Sequence, residues 1–103
     1  MKKYAIICAD KGSYDRAIEF NGLSLYSTYE EALEELKGWI WEIDILEKLN
    51  DIIKNKETYF YDKYDDSHYF NYDENGKLIY YSNGCRATNE YDGHSVIIYE
   101  LNI

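Results

Sequence analysis

The 103-residue chain contains no proline and only six glycines, two cysteines and two arginines. Without proline and with so little glycine, no segment has the composition of a flexible linker or a proline-rich tail. The length corresponds to one domain, residues 1–103. No apolar run approaches the ~20 residues of a membrane span, and the apolar run after Lys3 is shorter than the roughly 7–15 residues of a secretory signal. We therefore expect a cytoplasmic protein that does not associate with membranes.

The scarcity of basic residues excludes several partners. The chain has 20 acidic and 11 basic residues, a net charge of −9, and its only arginines are Arg16 and Arg86. Proteins that bind nucleic acid need a basic face that neutralises phosphates. We therefore expect no direct binding of nucleic acid or of an anionic membrane. Such a surface attracts a basic protein partner, although net acidity also simply keeps small proteins soluble.

The two cysteines do not form a disulfide framework, which usually needs at least four. Cys8 lies in an apolar segment and is predicted to be a small buried hydrophobic residue. A bridge between Cys8 and Cys85 is the alternative.

The pattern of apolar residues and turns predicts an α+β fold, in the order β-ββ-α-β-β-β-β. An antiparallel sheet of about five to seven strands would pack on one long helix, with a break in that helix as the alternative. The predicted strands are residues 3–9, 17–20, 23–26, 58–64, 68–72, 77–81 and 95–101, and residues 86–91 have a weaker strand pattern.

Two Asn-Gly pairs are predicted to form tight turns, because these residues tolerate the positive φ angles of a type I′ turn. Asn21-Gly22 would join strands 17–20 and 23–26 in a hairpin. Asn75-Gly76 would join strands 68–72 and 77–81. The second turn sets a register that places three pairs of residues opposite each other: Glu74 and Lys77, Tyr72 and Ile79, and Phe70 and Tyr81.

The helix is predicted to begin with a capping box formed by Ser27 and Glu30 and to continue to about Asn55. A helix of about 28 residues would be ~42 Å long, whereas a compact domain of this size is roughly 35 Å across. The helix would therefore project beyond the domain unless it breaks. Gly38 and Asn50-Asp51 are the candidate break points.

This long helix would carry two apolar faces. The main face, expected to pack on the sheet, comprises Tyr29, Ala32, Leu33, Leu36, Trp39, Ile40, Ile43, Leu46 and Ile53. The second face comprises Trp41, Ile45, Leu49 and Ile52. Either later parts of the chain cover the second face, or it forms a protein interface, such as that of a homodimer.

No pattern predicts a metal site, a cofactor or an enzyme. Asp62, Asp65, Asp66 and His68 resemble a ligand cluster, but their spacing is not that of a calcium loop, and aspartates are typical of solvated turns. A Cys–His pair would have to combine distant residues and has no local signature. The chain also lacks a phosphate-binding glycine-rich loop and a nucleophile elbow.

The segment 57–75 contains six acidic residues, one lysine and several of the 13 tyrosines. Tyrosine is favoured at interfaces, and arginine-rich surfaces pair with carboxylates and stack on aromatic rings. The residues predicted to bind a partner are Asp62, Asp65, Asp66, Asp73, Glu74, Tyr61, Tyr64 and Tyr69. Two alternatives remain: tyrosines on the apolar face of a half-exposed sheet, and a tyrosine excess that reflects A/T-rich codons.

The short, acidic, tyrosine-rich chain, with the helix start Ser27-Thr28-Tyr29-Glu30-Glu31-Ala32-Leu33 after a predicted hairpin, resembles small proteins of phages and mobile elements. Its overall profile is similar to that of anti-CRISPR inhibitors, and also to that of immunity proteins and antitoxins that cap a nuclease. The resemblance implies stoichiometric binding to a basic, nucleic-acid-handling protein such as a CRISPR effector or a nuclease. It carries over no functional residue.

From the residues themselves, we expect Tyr61, Tyr64 and Tyr69 to be exposed anchors of this interface. Tyr72 shares a predicted face with Phe70 and Ile79, and we expect it to belong to the core.

Overall fold

The computed structural model describes residues 1–11, 18–63, 66–84 and 94–102. The fold is α+β, as predicted, with a six-stranded antiparallel sheet and two helices. The elements are β1 (Lys2–Lys11), β2 (Ile18–Tyr26), α1 (Tyr29–Lys37), α2 (Ile43–Lys54), β3 (Tyr59–Tyr61), β4 (Ser67–Tyr72), β5 (Leu78–Gly84) and β6 (His94–Asn102). No helix of the described residues is long and apolar enough to cross a membrane.

The strands lie in the order β2-β1-β6-β5-β4-β3. The last strand, β6, is inserted between β1 and β5 and therefore joins the two halves of the sheet. The core lies between one face of the sheet and the two helices, where Ile6, Phe70 and Val96 cluster with Leu36 and Ile45. We call the opposite face of the sheet the open face, because neither helix covers it.

The predicted hairpin at Asn21-Gly22 is wrong. Residues 18–26 form one continuous strand, β2, which pairs along its length with β1. The register shifts between Ile7, opposite Leu23, and Ala9, opposite Phe20. Asn21 and Gly22 thus lie opposite the single residue Cys8, which is the two-against-one arrangement of a β-bulge. The ten-residue strand β1 offers hydrogen-bond partners to all of β2, more than two four-residue strands could offer each other.

The long helix is broken, and the break lies at Gly38, one of the two predicted points. The helix α1 ends at Lys37, and the Gly38 backbone N–H donates to the carbonyls of Glu34 and Glu35 at 3.3 and 3.1 Å. Asn50-Asp51 lies inside α2 and does not interrupt it. Two shorter helices fit a domain whose radius of gyration is 13.9 Å.

The helix cap lies one residue later than predicted. Thr28, not Ser27, is the N-cap, and its Oγ1 accepts a hydrogen bond from the Glu31 backbone N–H at 3.2 Å. The same hydroxyl donates to Glu31 Oε1 at 3.1 Å. Ser27 instead accepts a hydrogen bond from Lys3 Nζ at 3.2 Å.

The break also changes which residues of α2 face the core. Ile45, Leu49 and Ile52 are buried against the sheet, so the predicted oligomer face is wrong for these three residues. The protein's own chain covers them, which was the alternative. Ile43 and Leu46, assigned to the main face, are exposed instead. The physical reason is that residues 38–42 are not helical, so the 3.6-residue periodicity of α1 does not continue into α2.

In the β4–β5 hairpin, the predicted pairing of Phe70 with Tyr81 is confirmed. The predicted pairing of Tyr72 with Ile79 is wrong, because a bulge shifts the register and places Tyr72 opposite Leu78. Asp73 Oδ1 accepts hydrogen bonds from the backbone N–H groups of Asn75 and Lys77, both at 2.9 Å, and so holds the turn. The predicted strand 86–91 and Cys85, with its proposed bridge to Cys8, lie outside the described residues.

Candidate interaction site

Three tyrosines form an exposed cluster on the open face, at the β3 edge of the sheet. Tyr59 and Tyr61 alternate with the core-facing Phe60 along β3, and Tyr59 pairs with Tyr69 of β4. The Tyr59 ring centroid lies 4.6 Å from that of Tyr61 and 5.2 Å from that of Tyr69. Each of the three side chains stays between 40% and 45% exposed. The rings thus support one another and still present area to a partner.

The acidic residues do not share this face with the tyrosines. Asp62 and Asp66 lie between β3 and β4, at one end of these strands. Asp73 and Glu74 lie in the turn after β4, at the other end. The strand β4 has six residues, which corresponds to about 20 Å. The acids therefore flank the tyrosine cluster from both ends.

Asp62 does not belong to the accessible surface, contrary to the prediction. Its residue exposure is 5%, and its Oδ2 lies 2.8 Å from His68 Nε2. On the other side of the ring, Nδ1 of His68 lies 2.8 Å from the Tyr81 hydroxyl. Both His68 and Tyr81 are fully buried. Asp62 thus begins a buried hydrogen-bonded chain, because a carboxylate can be buried only when it is paired and hydrogen-bonded.

The environment of this chain keeps Tyr81 neutral. Burial raises the pKa of the Tyr81 phenol, and the negative charges of Glu42 and Asp62 raise it further. A neutral phenol can donate its proton to His68 Nδ1, and Nε2–H then donates to the Asp62 carboxylate. The three residues satisfy one another, so the chain connects β5 to the β3–β4 connection.

Asp66 and Glu42 complete an acidic corner beside Asp62. Each of these three residues offers a carboxylate oxygen within 4.8 Å of the others. Two hydrogen bonds also link Asp62 to Asp66. The Asp62 backbone N–H donates to the Asp66 carbonyl at 3.0 Å, and the Asp66 backbone N–H donates to Asp62 Oδ1 at 3.1 Å. These carboxylates could together hold a cation, and they give this corner a concentrated negative charge.

At the other end of the strands, the Asp73 carboxylate holds the turn, while Glu74 is exposed. Tyr72 is half-buried and packs against the core, in agreement with the expectation. Its hydroxyl lies 2.7 Å from the Glu57 carbonyl and 3.1 Å from the Ile52 carbonyl. Burial, and after it the charge of Glu57, raises the pKa of this phenol.

The structure brings together part of the predicted site. Tyr61 and Tyr69 lie in the exposed cluster, Asp66 and Glu74 flank it, and Tyr64 and Asp65 lie outside the described residues. Sequence reasoning missed Tyr59, although it alternates with Tyr61 and therefore shares its face of the strand. Glu42 was also missed, because only tertiary packing brings it next to residues 62 and 66.

Comparison with known protein families, curated proteins and solved structures finds no match. The function must therefore be inferred from the chemistry of the site.

Proposed function

We propose that this protein is a stoichiometric inhibitor that binds a basic, nucleic-acid-handling protein. The observation that carries the proposal is the exposed cluster of Tyr59, Tyr61 and Tyr69, with carboxylates at both ends of its strands. Exposed aromatic groups of this kind are typical centres of protein interfaces. A nuclease, a CRISPR effector and a toxin neutralised by an immunity protein all fit this class of partner.

The two components of the site would contribute differently. The net charge of −9 accelerates encounter with a basic partner and makes the association rate depend on salt. Exposed ion pairs contribute little to the final affinity, because water and salt screen them. The tyrosines bury apolar area and would therefore supply most of the affinity that remains at physiological salt.

The accessible acids of the interface are Asp66 and Glu74 rather than Asp62, whose carboxylate is paired with His68. Inhibition then follows from occupation of the partner's phosphate-binding surface by carboxylates. One molecule of inhibitor per partner suffices, because no turnover is involved.

The test begins with capture of the partner from a bacterial lysate by the tagged protein and its identification by mass spectrometry. Calorimetry with the purified partner then compares Tyr69→Ala with Tyr99→Ala. Tyr99 is a matched control, since it is an equally exposed tyrosine on β6 of the same sheet. We expect Tyr69→Ala to weaken binding about 30-fold, which corresponds to ~2 kcal/mol, and Tyr99→Ala to leave binding unchanged.

The charge contribution is tested with Asp66→Lys and with Glu35→Lys, an exposed helix position that gives the same net charge. Only Asp66→Lys should slow association strongly.

One equivalent of the wild-type protein should abolish nucleic-acid binding by the partner in a fluorescence anisotropy assay. A partner without a basic surface, or equal effects of each variant and its control, would refute the proposal.

A further inference from the structure

A second exposed apolar patch lies at the corner between the two helices. Trp41 is 66% exposed and Ile43 is 70% exposed. Trp41 stacks on Trp39, with ring centroids 6.4 Å apart and planes 25° apart, so its indole is held in place from one side. An exposed tryptophan supported in this way is typical of binding hot spots.

Beside Trp41 lies a small pocket of about 180 Å³, lined by Trp41, Glu42, Ile43, Asp44 and Lys63. Pockets for small-molecule substrates usually measure ~300–1,000 Å³. This pocket is smaller and therefore suits the end of one side chain rather than a free substrate.

Asp44 contributes a carboxylate to the polar wall of the pocket. Its Oδ2 accepts a hydrogen bond from the Lys63 backbone N–H at 3.3 Å. Its Oδ1 is closed to solvent and has no hydrogen-bond partner within the described part of the chain, so hydrogen bonds stabilise the charge of this carboxylate only in part. Asp44 therefore adds negative charge to the pocket.

The charge of the ligand follows from the groups around the pocket. Glu42 and Asp44 line it, and the Asp66 carboxylate lies within 4.8 Å of that of Glu42, whereas Lys63 is the cation of the lining. Glu42 occupies the N-cap position of α2 and makes no capping hydrogen bond with its side chain, and its carboxylate lies within 4.8 Å of those of Asp62 and Asp66. Negative charge is in excess, which favours a cationic ligand.

We infer that this pocket binds an arginine side chain supplied by a protein partner. A guanidinium group carries a positive charge and several donors in one plane, which suits a pocket lined by the carboxylates of Glu42 and Asp44, and it stacks favourably on an indole such as that of Trp41. A lysine offers a single ammonium and stacks less well. The inference rests on the proposed binding of a basic protein, and it identifies the side chain that the partner contributes.

The test uses a small probe and does not require the partner. The ¹⁵N-labelled protein is titrated with the peptide acetyl-Gly-Arg-Gly-amide, and separately with the same peptide carrying citrulline, which has a similar shape but no charge. We expect saturable shifts of the Trp41 indole N–H signal and of the backbone signals of residues 42–44 and 63. The arginine peptide should bind at least about tenfold more tightly than the citrulline peptide.

Three variants assign the effect to the pocket. Asp44→Asn should weaken binding of the arginine peptide about tenfold, whereas Glu30→Gln, which removes one negative charge at the exposed start of α1, should leave it unchanged. Lys63→Gln should strengthen binding, because it removes the competing cation. The amide spectrum of each variant verifies that it is folded.

Equal binding of the two peptides would overturn the inference, and so would equal effects of Asp44→Asn and Glu30→Gln. In either case the proposed inhibitor function would still stand on the tyrosine cluster. Failure of that function would instead appear as loss of the Tyr69→Ala effect on the captured partner.

Discussion

At the residue scale, the buried chain Asp62–His68–Tyr81 is the most specific feature of the molecule. It links the β3–β4 connection to strands β4 and β5 through two hydrogen bonds of 2.8 Å. In a low-dielectric interior, such a network stabilises the fold only while every member is satisfied. Asp62 therefore has a structural role, and its substitution would test folding rather than partner binding.

We predict that Asp62→Ala lowers the free energy of unfolding by about 1–3 kcal/mol, because it leaves His68 Nε2 without its buried acceptor. The measurement is urea denaturation followed by circular dichroism.

Asp66→Ala is the control for this substitution. Asp66 is half-buried at the edge of the same corner, so its removal should change stability by less than ~1 kcal/mol. Equal destabilisation by the two substitutions would show that the buried chain has no special structural role.

At the element scale, the two helices depend on local signals at their ends. Gly38 ends α1, and Thr28 begins it with a reciprocal pair of hydrogen bonds to Glu31. An N-cap satisfies a backbone N–H that has no partner within the helix. The start of α1 also fixes Tyr29, whose hydroxyl donates to the Leu78 carbonyl at 2.6 Å. Burial is the main reason that the pKa of Tyr29 rises to about 12, so this donor stays protonated at neutral pH.

Thr28→Ala is predicted to destabilise the protein by about 1 kcal/mol, the usual cost of losing an N-cap. Ser27→Ala serves as the matched control, since Ser27 carries a similar hydroxyl one residue earlier. This hydroxyl accepts a hydrogen bond from Lys3 Nζ on the surface and does not cap the helix. Ser27→Ala should change stability by no more than ~0.5 kcal/mol. Thermal melts of both variants are sufficient, and a larger effect at Ser27 would contradict the observed cap.

At the scale of the whole molecule, the sheet has one face covered by helices and one open face with large side chains. Leu25, Tyr99 and Leu101 are exposed there in addition to the tyrosine cluster. A net charge of −9 opposes association of copies of the molecule through this apolar area. That repulsion disappears near the isoelectric point, which is about 4.6.

We therefore predict that self-association rises as the pH falls from 7 towards 4.6, as measured by light scattering with circular dichroism to follow the fold. Leu25→Lys should reduce this association, because it places a charge on the open face. Leu46→Lys, an exposed position on α2 with the same charge change, should not. The opposite ranking would place the contact between copies on the helices.

The local signals of the sequence were sufficient for much of the fold. The α+β class and the pairing of Phe70 with Tyr81 could be predicted, and so could Gly38 as one of two candidate break points of the helix, because helix periodicity, turn residues and strand alternation act between near neighbours. Tyr61 and Tyr69 were also expected to be exposed, and they are. The role of these tyrosines in binding stays a prediction.

Only the tertiary structure decided which of several locally acceptable arrangements the chain adopts. Asn21-Gly22 suits a hairpin by itself, but pairing with all of β1 turns it into a bulge. An apolar face of Ile45, Leu49 and Ile52 is expected both in one continuous helix and in two separate helices. The non-helical residues 38–42 determine that this face packs against the sheet. Asp62 is an ordinary turn residue in the sequence, and it becomes buried because distant Tyr81 positions His68 as its partner. These outcomes depend on contacts between residues far apart in the chain, and the energies of such contacts cannot be inferred from a local sequence pattern.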